Sequence, residues 1–330
     1  MINLANIRDV AKKAGVSVAT VSRFLNKKGY VSKEAQAIIE EAIKDLNYTP
    51  NSVARSLSTK QTKFIGLIVP DIMNPFFPEL ARAVEDVALT YGYTVILCNS
   101  DEKAEKEIHY IETLKQKYVA GFIVTTNQLE ALHYKKIDLP VVALDRLIHS
   151  SIPTVSSNNK EGARLGTAYL IEQGCKNIVC MRGPKGVATA DNRLEGFLEA
   201  TKGSTIETHI IESPFDFEQS ELIARSFLEK LPEVDGIFAS SDVSAAGALK
   251  AAHSLGISVP EKLQIVGFDG IALGGMLTPG LTTVGQDVYK MGAIATRMLI
   301  KQIERIPLEE KEVQVPVNLI IRGTTRSELS

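Results

Sequence analysis

Side chains with binding chemistry stand shortly after apolar runs at four places in this chain. They are Asn74, Phe76 and Phe77 after "FIGLIVP", Asp145 and Arg146 after "LPVVAL", Asp242 after "GIFASS" and Asp269 after "LQIVGF". Charged side chains exchange strong hydrogen bonds with hydroxyl groups, and the C–H faces of a sugar ring stack on aromatic rings. The combination predicts a binding site for a sugar.

The apolar runs belong to a pattern in which strands alternate with helices from Phe64 onwards. The strand-like "FIGLIVP", for example, is followed by the helical pattern "PELARAVEDVALTYG" and then by "YTVILCNS". Alternation of this kind predicts an α/β fold with parallel sheets, and strands that are apolar throughout agree with sheets covered on both faces. The series occurs twice, so we expect two similar lobes with the ligand in the cleft between them, at the carboxyl ends of the strands.

Some of these side chains have a second interpretation. Phe76 or Phe77 could belong to the core of the first lobe, because both follow a buried strand. Asp242 could cap the helix that begins at Val243, since aspartate is a preferred residue at that position. The sequence leaves both alternatives open.

The first 63 residues differ in charge from the rest of the chain. They contain 11 lysine and arginine residues against 5 aspartate and glutamate residues, a net charge of +6. The remainder contains 26 basic residues (37 − 11) against 34 acidic ones (39 − 5), a net charge of −8. A basic segment on an acidic body indicates that this end alone meets a polyanion.

Residues 1–49 have the pattern of three short helices, with Gly15 ending the first while Ser17 and Ser32 cap the second and third. The third helix carries Ala35, Ile38, Ile39, Ala42, Ile43 and Leu46 at helical spacing, which predicts its buried face. A helix, a turn containing glycine and a second helix predict a helix-turn-helix, whose second helix lies in the DNA major groove. A three-helix module that binds protein is the alternative.

The second helix supplies the expected DNA contacts. They are Ser17, Val18, Ala19, Thr20, Ser22, Arg23 and Asn26. Arg23 can donate two hydrogen bonds to a guanine edge, and Val18 and Ala19 can touch a thymine methyl group. The hydroxyl and amide side chains suit phosphate contacts, which position the protein without reading the sequence.

Two stretches, "IRDVAKKAGVSVATVSRFLN" and "LNYTPNSVARSL", closely resemble the lactose-repressor (LacI/GalR) family of bacterial transcription regulators. The resemblance continues to the end of the chain and implies three parts: a helix-turn-helix domain at 1–49, a hinge helix and linker at 50–63, and a two-lobed effector-binding and dimerisation domain at 64–330, which resembles periplasmic binding proteins.

The family resemblance also implies how the hinge works. In that family the hinge segment folds when two copies meet on a near-palindromic operator, and a leucine from each copy wedges into the minor groove. Leu57 occupies the matching place, with Asn51, Ala54 and Arg55 beside it. An apolar residue in a polar, exposed segment suits such a wedge, although Leu57 could also be an ordinary linker residue packed on the body.

The stretches "NPFF", "PVVALDR", "RLEGF", "IVGFDG" and "TTVGQ" are similar to periplasmic sugar-binding proteins, especially those for ribose. This likeness adds Asp191, Arg193, Phe217 and Gln286 to the effector-binding residues named above. Asp191 stands where the ribose binders carry arginine, although Arg193 is close by, and Ser241 stands where they carry asparagine. A sugar is therefore expected, with ribose and sucrose both open.

The sequence contains no "GxxxxGK[ST]", "HExxH" or "GxSxG" motif, and its five histidines are scattered, so we expect no enzyme activity, cofactor or metal. No apolar run reaches the roughly 18 residues of a membrane span, and no signal peptide is recognisable, which predicts a cytoplasmic location. Cys98, Cys175 and Cys180 are expected to be buried thiols.

We therefore expect a dimeric repressor of a sugar-utilisation operon that a small sugar releases from double-stranded operator DNA. Three alternatives remain from the sequence. The ligand could tighten DNA binding as a corepressor does, the partner could be a phosphoprotein, as in catabolite regulators, or the body alone could be a sugar-transport protein.

Overall fold

The computed structural model describes residues 5–26, 29–49, 62–126, 129–146 and 148–326. The chain divides into two compact units, Met1–Thr62 and Lys63–Ser330. Four of the predicted DNA-contacting residues (Asn51, Ala54, Arg55 and Leu57) lie outside the described residues. They and the hinge boundaries stay predictions.

The first unit contains the three expected helices, α1 (Ile7–Ala14), α2 (Val18–Asn26) and α3 (Lys33–Asp45). Gly15 ends α1 with a φ of +65°, a conformation that glycine adopts without steric cost. Ser17 Oγ accepts a hydrogen bond from the Thr20 backbone N–H at 3.1 Å, and Ser32 Oγ accepts one from that of Ala35 at 3.3 Å. The serine caps predicted from the sequence are confirmed.

The apolar faces of these helices meet in one small core around Val10, Val21 and Ile39, which are fully buried. One residue of the predicted face of α3 is different: Ile38 is 47% exposed. It immediately precedes the fully buried Ile39, but it is not part of the small core that Ile39 joins.

The second unit contains two six-stranded sheets, as the doubled strand–helix series predicts. The first sheet has the order β11-β5-β4-β3-β1-β2 and is parallel throughout. Its strands are β1 (Phe64–Val69), β2 (Thr94–Asn99), β3 (Gly121–Val124), β4 (Val141–Leu144), β5 (Thr154–Ser157) and β11 (Glu312–Val315). With α4 (Phe76–Thr90), α5 (Ala104–Gln116), α6 (Ala131–Lys135) and α12 (Val288–Ile303) it forms lobe 1.

The second sheet has the order β12-β10-β9-β8-β6-β7, and it is parallel except for β12, which pairs antiparallel with β10. Its strands are β6 (Asn177–Arg182), β7 (Glu207–Glu212), β8 (Gly236–Ala239), β9 (Gln264–Asp269), β10 (Thr282–Gln286) and β12 (Val317–Ile320). With α7 (Asn159–Glu172), α8 (Ala188–Thr201), α9 (Phe217–Lys230), α10 (Asp242–Ser254) and α11 (Leu273–Met276) it forms lobe 2.

The chain passes between the lobes at three crossovers. The first joins β5 to α7, the second joins β10 to α12, and the third joins β11 to β12 through Pro316. The stretch "VQVPVNLIIRG", which reads as one strand-like run, therefore supplies a strand to each sheet. Proline ends β11 because it has no N–H to donate within a sheet.

Candidate functional site

A cleft of about 430 Å³ lies where the carboxyl ends of both sheets face each other. The residues that line it follow β1 to β4 in lobe 1 and β6 to β9 in lobe 2. They are Pro70, Asp71, Asn74, Phe76, Phe77, Asp101, Glu102, Thr125 and Asp145 from lobe 1, and Pro184, Val187, Thr189, Arg193, Pro214, Phe215, Asp216, Ser241 and Asp269 from lobe 2. This is the position expected for a ligand in a doubled parallel α/β fold.

Two aromatic rings of the cleft come from the start of α4. The rings of Phe76 and Phe77 are 5.2 Å apart and almost perpendicular, at 85°. Asn74 Oδ1 accepts a hydrogen bond from the Phe76 backbone N–H at 3.1 Å, which holds this first turn in place. Phe76 both lines the cleft and packs in the core of lobe 1, and its contact with a ligand stays a prediction.

Arg193, on α8, is the centre of the polar floor of the cleft. Its side chain is 4% exposed, and its Nη1 donates to Asp269 Oδ1 at 3.2 Å and to the Ser240 carbonyl at 2.6 Å. The guanidinium carbon lies 3.8 Å from the centre of the Phe268 ring. Hydrogen bonds and a cation–π contact together compensate the burial of this charge.

The two carboxylates beside Arg193 come from opposite lobes. Asp145 follows β4 and Asp269 ends β9, and Asp145 Oδ2 lies 4.0 Å from Arg193 Nη2. Both residues have positive φ angles, 57° and 123°, in regions that side-chain-bearing residues rarely adopt. Asp101 and Glu102 also have positive φ angles, so four of the seven such non-glycine residues in the described part of the chain line the cleft, and backbone strain often concentrates at functional sites.

Burial alters the ionisation of both carboxylates. Loss of solvent raises the pKa of Asp145, although Arg193 and Asn159 oppose the change. Loss of solvent also raises the pKa of Asp269 to about 6, with a further rise from the nearby charge of Asp145 and an opposing effect from Arg193. The pKa of Asp269 is therefore well above the ordinary value of an aspartate.

Five of the predicted effector-binding residues do not line the cleft. They are Arg146, Asp191, Phe217, Asp242 and Gln286. Asp191 lies two residues from both Thr189 and Arg193 on α8, so it is about 200° around the helix from these cleft residues, and it pairs with Arg182 instead. Phe217 begins α9 and is 40% exposed.

Asp242 is a structural carboxylate. It is fully buried and accepts hydrogen bonds from the Ile271 backbone N–H at 2.9 Å and from the Thr283 hydroxyl. Burial and the neighbouring Asp269 raise the pKa of Asp242 to about 8. The suggestion that Asp242 caps α10 was wrong, because Ser241 does so by accepting from the Ser244 backbone N–H at 3.0 Å.

Arg146 and Gln286 lie next to the cleft without lining it. Gln286 Nε2 donates to Asp269 Oδ1 at 2.7 Å, so it acts on the cleft through that aspartate. Arg146 Nη2 donates to the Leu129 carbonyl at 3.4 Å, and its guanidinium lies over the Tyr134 ring at 5.7 Å. These contacts engage Arg146 within lobe 1, whereas the preceding residue, Asp145, lines the cleft.

Sequence reasoning missed several residues of the cleft. Among them, Phe215 and Asp216 follow β7, while Asp101 and Glu102 follow β2. The rule applied to the other strands, that side chains after a strand end can bind ligand, would have found all four. Both strands, however, lie at sheet edges and are partly exposed, so they are less apolar and less conspicuous than the central strands.

In the first unit, α2 presents one face to solvent. Ser17, Val18, Ala19 and Arg23 are exposed there, and Val18 is 41% exposed although it is apolar. Thr20 and Ser22 are half-buried, and so is Asn26, whose Nδ2 donates to the Ser22 carbonyl at 2.8 Å. The predicted DNA contacts on this helix stay predictions, and the exposed set is suited to base edges and phosphates.

The described residues lack two further features. They contain no group of three or more histidine, cysteine, aspartate or glutamate side chains arranged to hold a metal ion. Within the same residues, no helix combines the length and the apolar character that crossing a membrane requires.

Comparison with known proteins accounts for both units. Residues 6–51 match the model for bacterial regulatory proteins of the lacI family, and residues 62–323 match that for periplasmic binding proteins and the sugar binding domain of the LacI family. The chain belongs to the LacI family. The resemblance found in the two N-terminal stretches is thereby confirmed, and so is the two-lobed fold.

Among individual LacI-family relatives, the chain is 57% identical over 323 residues to the ribose operon repressor of Halalkalibacterium halodurans, covering 98% of each chain. A lac repressor dimer bound to operator and the anti-inducer ONPF has a TM-score of 0.87 and 25% identity, covering 98% of this chain and 99% of that one. A LacI family regulator from Enterococcus faecium with bound ribose has a TM-score of 0.73 and 28% identity, covering 79% of this chain and 98% of that one.

Proposed function

We propose that this chain represses a ribose-utilisation operon and that D-ribose, bound in the cleft, releases it from operator DNA. The observation that carries the proposal is the cleft floor, where Arg193 lies between Asp145 and Asp269 from opposite lobes. A sugar hydroxyl can donate to either carboxylate and accept from the guanidinium, so a bound polyol contacts both lobes at once. The names of the ribose-related relatives support the choice of sugar.

The charge of the cleft favours a free sugar over a sugar phosphate. Among the described lining residues the acidic ones are Asp71, Asp101, Glu102, Asp145, Asp216 and Asp269, whereas Arg193 is the single basic one. A phosphate group carries up to two negative charges near neutral pH, and like charges repel strongly where water is scarce. The proposed effector is therefore unphosphorylated ribose.

The aromatic side chains define where the sugar ring lies in this proposal. Phe76 and Phe77 come from lobe 1 and Phe215 comes from lobe 2, and all three line the cleft. C–H faces of the ring pack on these side chains while the hydroxyl groups reach the polar floor. The same rings exclude water, which strengthens the hydrogen bonds to the buried carboxylates.

The exposed face of α2 reads the operator in this proposal. Arg23 contacts a guanine edge, Val18 and Ala19 contact thymine methyl groups, and Ser17 contacts a phosphate. Asn51, Ala54, Arg55 and Leu57 act from the hinge segment, and Leu57 is the wedge in the minor groove. The role of the whole chain is regulatory, with no catalytic step.

Two copies act together in the proposal, as in the operator-bound lac repressor dimer. Each sheet of the second unit ends in an edge strand with an exposed apolar side chain, Leu97 on β2 (43%) and Ile210 on β7 (48%), and Leu222 on the adjoining α9 is 61% exposed. Exposed apolar side chains on edge strands suit a contact with a second copy. One copy then binds each half of a near-palindromic site.

The experiment is operator affinity at fixed salt, measured with and without sugars on a palindrome that the protein selects from a random DNA pool. D-ribose is expected to weaken binding, while ribose 5-phosphate, fructose and sucrose have little effect. Tighter binding with ribose would reverse the proposed sign of regulation. A response to sucrose but not to ribose would contradict the assigned effector.

A further inference from the structure

Asn159 connects Asp145 to Arg193, which pairs with Asp269, at the first crossover between the lobes. It is the first residue of α7, two residues after β5 ends, and it is 4% exposed. Its Nδ2 donates to Asp145 Oδ1 at 3.3 Å and to the Ser157 carbonyl at 3.2 Å, both in lobe 1. Its Oδ1 accepts from Arg193 Nε at 2.8 Å, in lobe 2. One buried amide therefore bridges the lobes below the cleft.

Chemistry determines the orientation of this amide. Arg193 has no acceptor atom, so the amide oxygen must face it. A carboxylate and a carbonyl offer no donor, so the amide nitrogen must face Asp145 and Ser157. An asparagine satisfies all three partners, whereas an aspartate of the same shape would set an oxygen against two acceptors.

The second crossover holds the other carboxylate in a similar way. Gln286 is the last residue of β10, and its Nε2 donates to Asp269 Oδ1 at 2.7 Å. The Gln286 Oε1 accepts from the Ser157 hydroxyl at the end of β5, so this amide also connects lobe 2 to lobe 1. Asp145 and Asp269 are therefore each held by an amide from a segment that passes between the lobes.

We propose, on the basis of the proposed function, that Asn159 is a positioning residue for sugar recognition. Its amide holds the side chains of Asp145 and Arg193 at a fixed separation, so that one ribose can contact both. Asn159 does not line the cleft and does not touch the sugar. Its effect passes through Asp145 and Arg193, whose separation depends on how the lobes are oriented. Loss of the bridge lets the lobes adopt orientations in which the sugar reaches one group at a time.

Neighbouring Asn158 provides a matched control. Its Oδ1 accepts from the Glu161 backbone N–H at 3.2 Å, so it caps α7. Aspartate caps a helix as well as asparagine does, so Asn158→Asp adds the same negative charge one residue away while it keeps the cap. Asn159→Asp adds that charge and keeps the side-chain shape, but it replaces the N–H donor that faces Asp145 with an acceptor oxygen.

The experiment measures ribose affinity and sugar-free operator affinity on full-length wild type, Asn159→Asp and Asn158→Asp. Asn159→Asp is expected to weaken ribose binding at least tenfold, about 1.4 kcal/mol, with operator affinity in the absence of sugar within about threefold of wild type. Asn158→Asp is expected to bind ribose within about threefold of wild type. Equal losses of ribose affinity in both variants, or none in Asn159→Asp, would overturn the proposal.

A sugar-free measurement covers the case in which Asn159→Asp folds poorly or wild type fails to bind ribose. The exchanged variant Asp145→Asn with Asn159→Asp restores a donor and an acceptor between the two positions, so its urea midpoint is expected to exceed that of Asn159→Asp alone. The bridge would be overturned if the effects of Asp145→Asn and Asn159→Asp on the free energy of unfolding, each measured alone, simply added in the exchanged variant. Absence of ribose binding by wild type would instead count against the proposed effector, and the exchange would still decide the bridge.

Discussion

Arg193 Nη1 donates to Asp269 Oδ1 over 3.2 Å, and both side chains are at least nine-tenths buried. The arginine comes from α8 and the aspartate from the end of β9, 76 residues apart in the chain. Removing one member of a buried pair leaves the other charge without compensation, which typically costs about 3–5 kcal/mol. The intact pair therefore keeps either charge from being buried without a partner at the proposed sugar site.

Arg193→Met is expected to lower the free energy of unfolding of the body by about 3 kcal/mol, because it leaves Asp269 and Asp145 buried without a cation. Ribose affinity is expected to fall below detection. Urea unfolding and calorimetry check the two effects. As a control, Arg164→Met removes a half-buried arginine paired with Glu161 near the surface and should change stability by less than about 1 kcal/mol. Similar losses in both variants would contradict the assigned role of Arg193.

Ribose affinity is expected to fall as pH decreases through about 6. Burial raises the pKa of Asp269 to about that value, and protonation removes the negative charge that makes it a strong acceptor. The ionised form of Asp269 binds the sugar better, so ribose affinity is at its maximum above the pKa of Asp269 and is lost below it. Titration calorimetry between about pH 5 and pH 8 checks it.

Asp71→Asn, which changes another lining carboxylate of the cleft, serves as the control for this pH dependence. It should keep the change near pH 6, because Asp269 is untouched. A flat affinity profile for the wild-type protein would show that Asp269 stays ionised throughout or does not contact the sugar.

Two alanine substitutions test which phenylalanine contacts the sugar: Phe215, which lines the cleft, or Phe217, which the likeness to sugar-binding proteins predicted. Phe215 lines the cleft, whereas Phe217 begins α9, is 40% exposed and does not line it. Loss of the Phe215 ring should weaken ribose binding roughly tenfold, since an aromatic contact in a binding site is worth about 1 kcal/mol or more. Phe217→Ala should leave ribose affinity within about twofold. The reverse order of effects would restore the original assignment of Phe217.

Arg23→Ala is expected to cost about 1–3 kcal/mol in operator binding and to relax the base preference at one position of each half-site. The reason is the loss of a bidentate contact from the exposed face of α2. Selection of binding sites by the variant, at the same salt concentration as wild type, measures both effects. Lys44→Ala, which removes an exposed charge from α3, should leave base preference unaltered. An unchanged preference in Arg23→Ala would mean that another residue reads that base.

Much of the fold was predictable from local patterns. The alternation of apolar runs and helical segments predicted both sheets, and the serine caps and Gly15 bounded the helices of the first unit, because hydrogen bonding and backbone freedom act between near neighbours. The strand-end rule brought Asn74, Phe76, Phe77, Asp145 and Asp269 to one cleft, since parallel strands deliver their carboxyl ends to one edge.

Tertiary structure decided which side chain at each strand end faces the cleft. Asp242 stands after a strand as Asp269 does, yet it is buried against Ile271 and Thr283. Asp191 and Arg193 are two residues apart on α8 and point to opposite sides. The division of "VQVPVNLIIRG" between two sheets and the bridge at Asn159 depend on contacts between segments distant in sequence. Such contacts depend on how the lobes pack, so they cannot be predicted from the secondary-structure propensities of neighbouring residues.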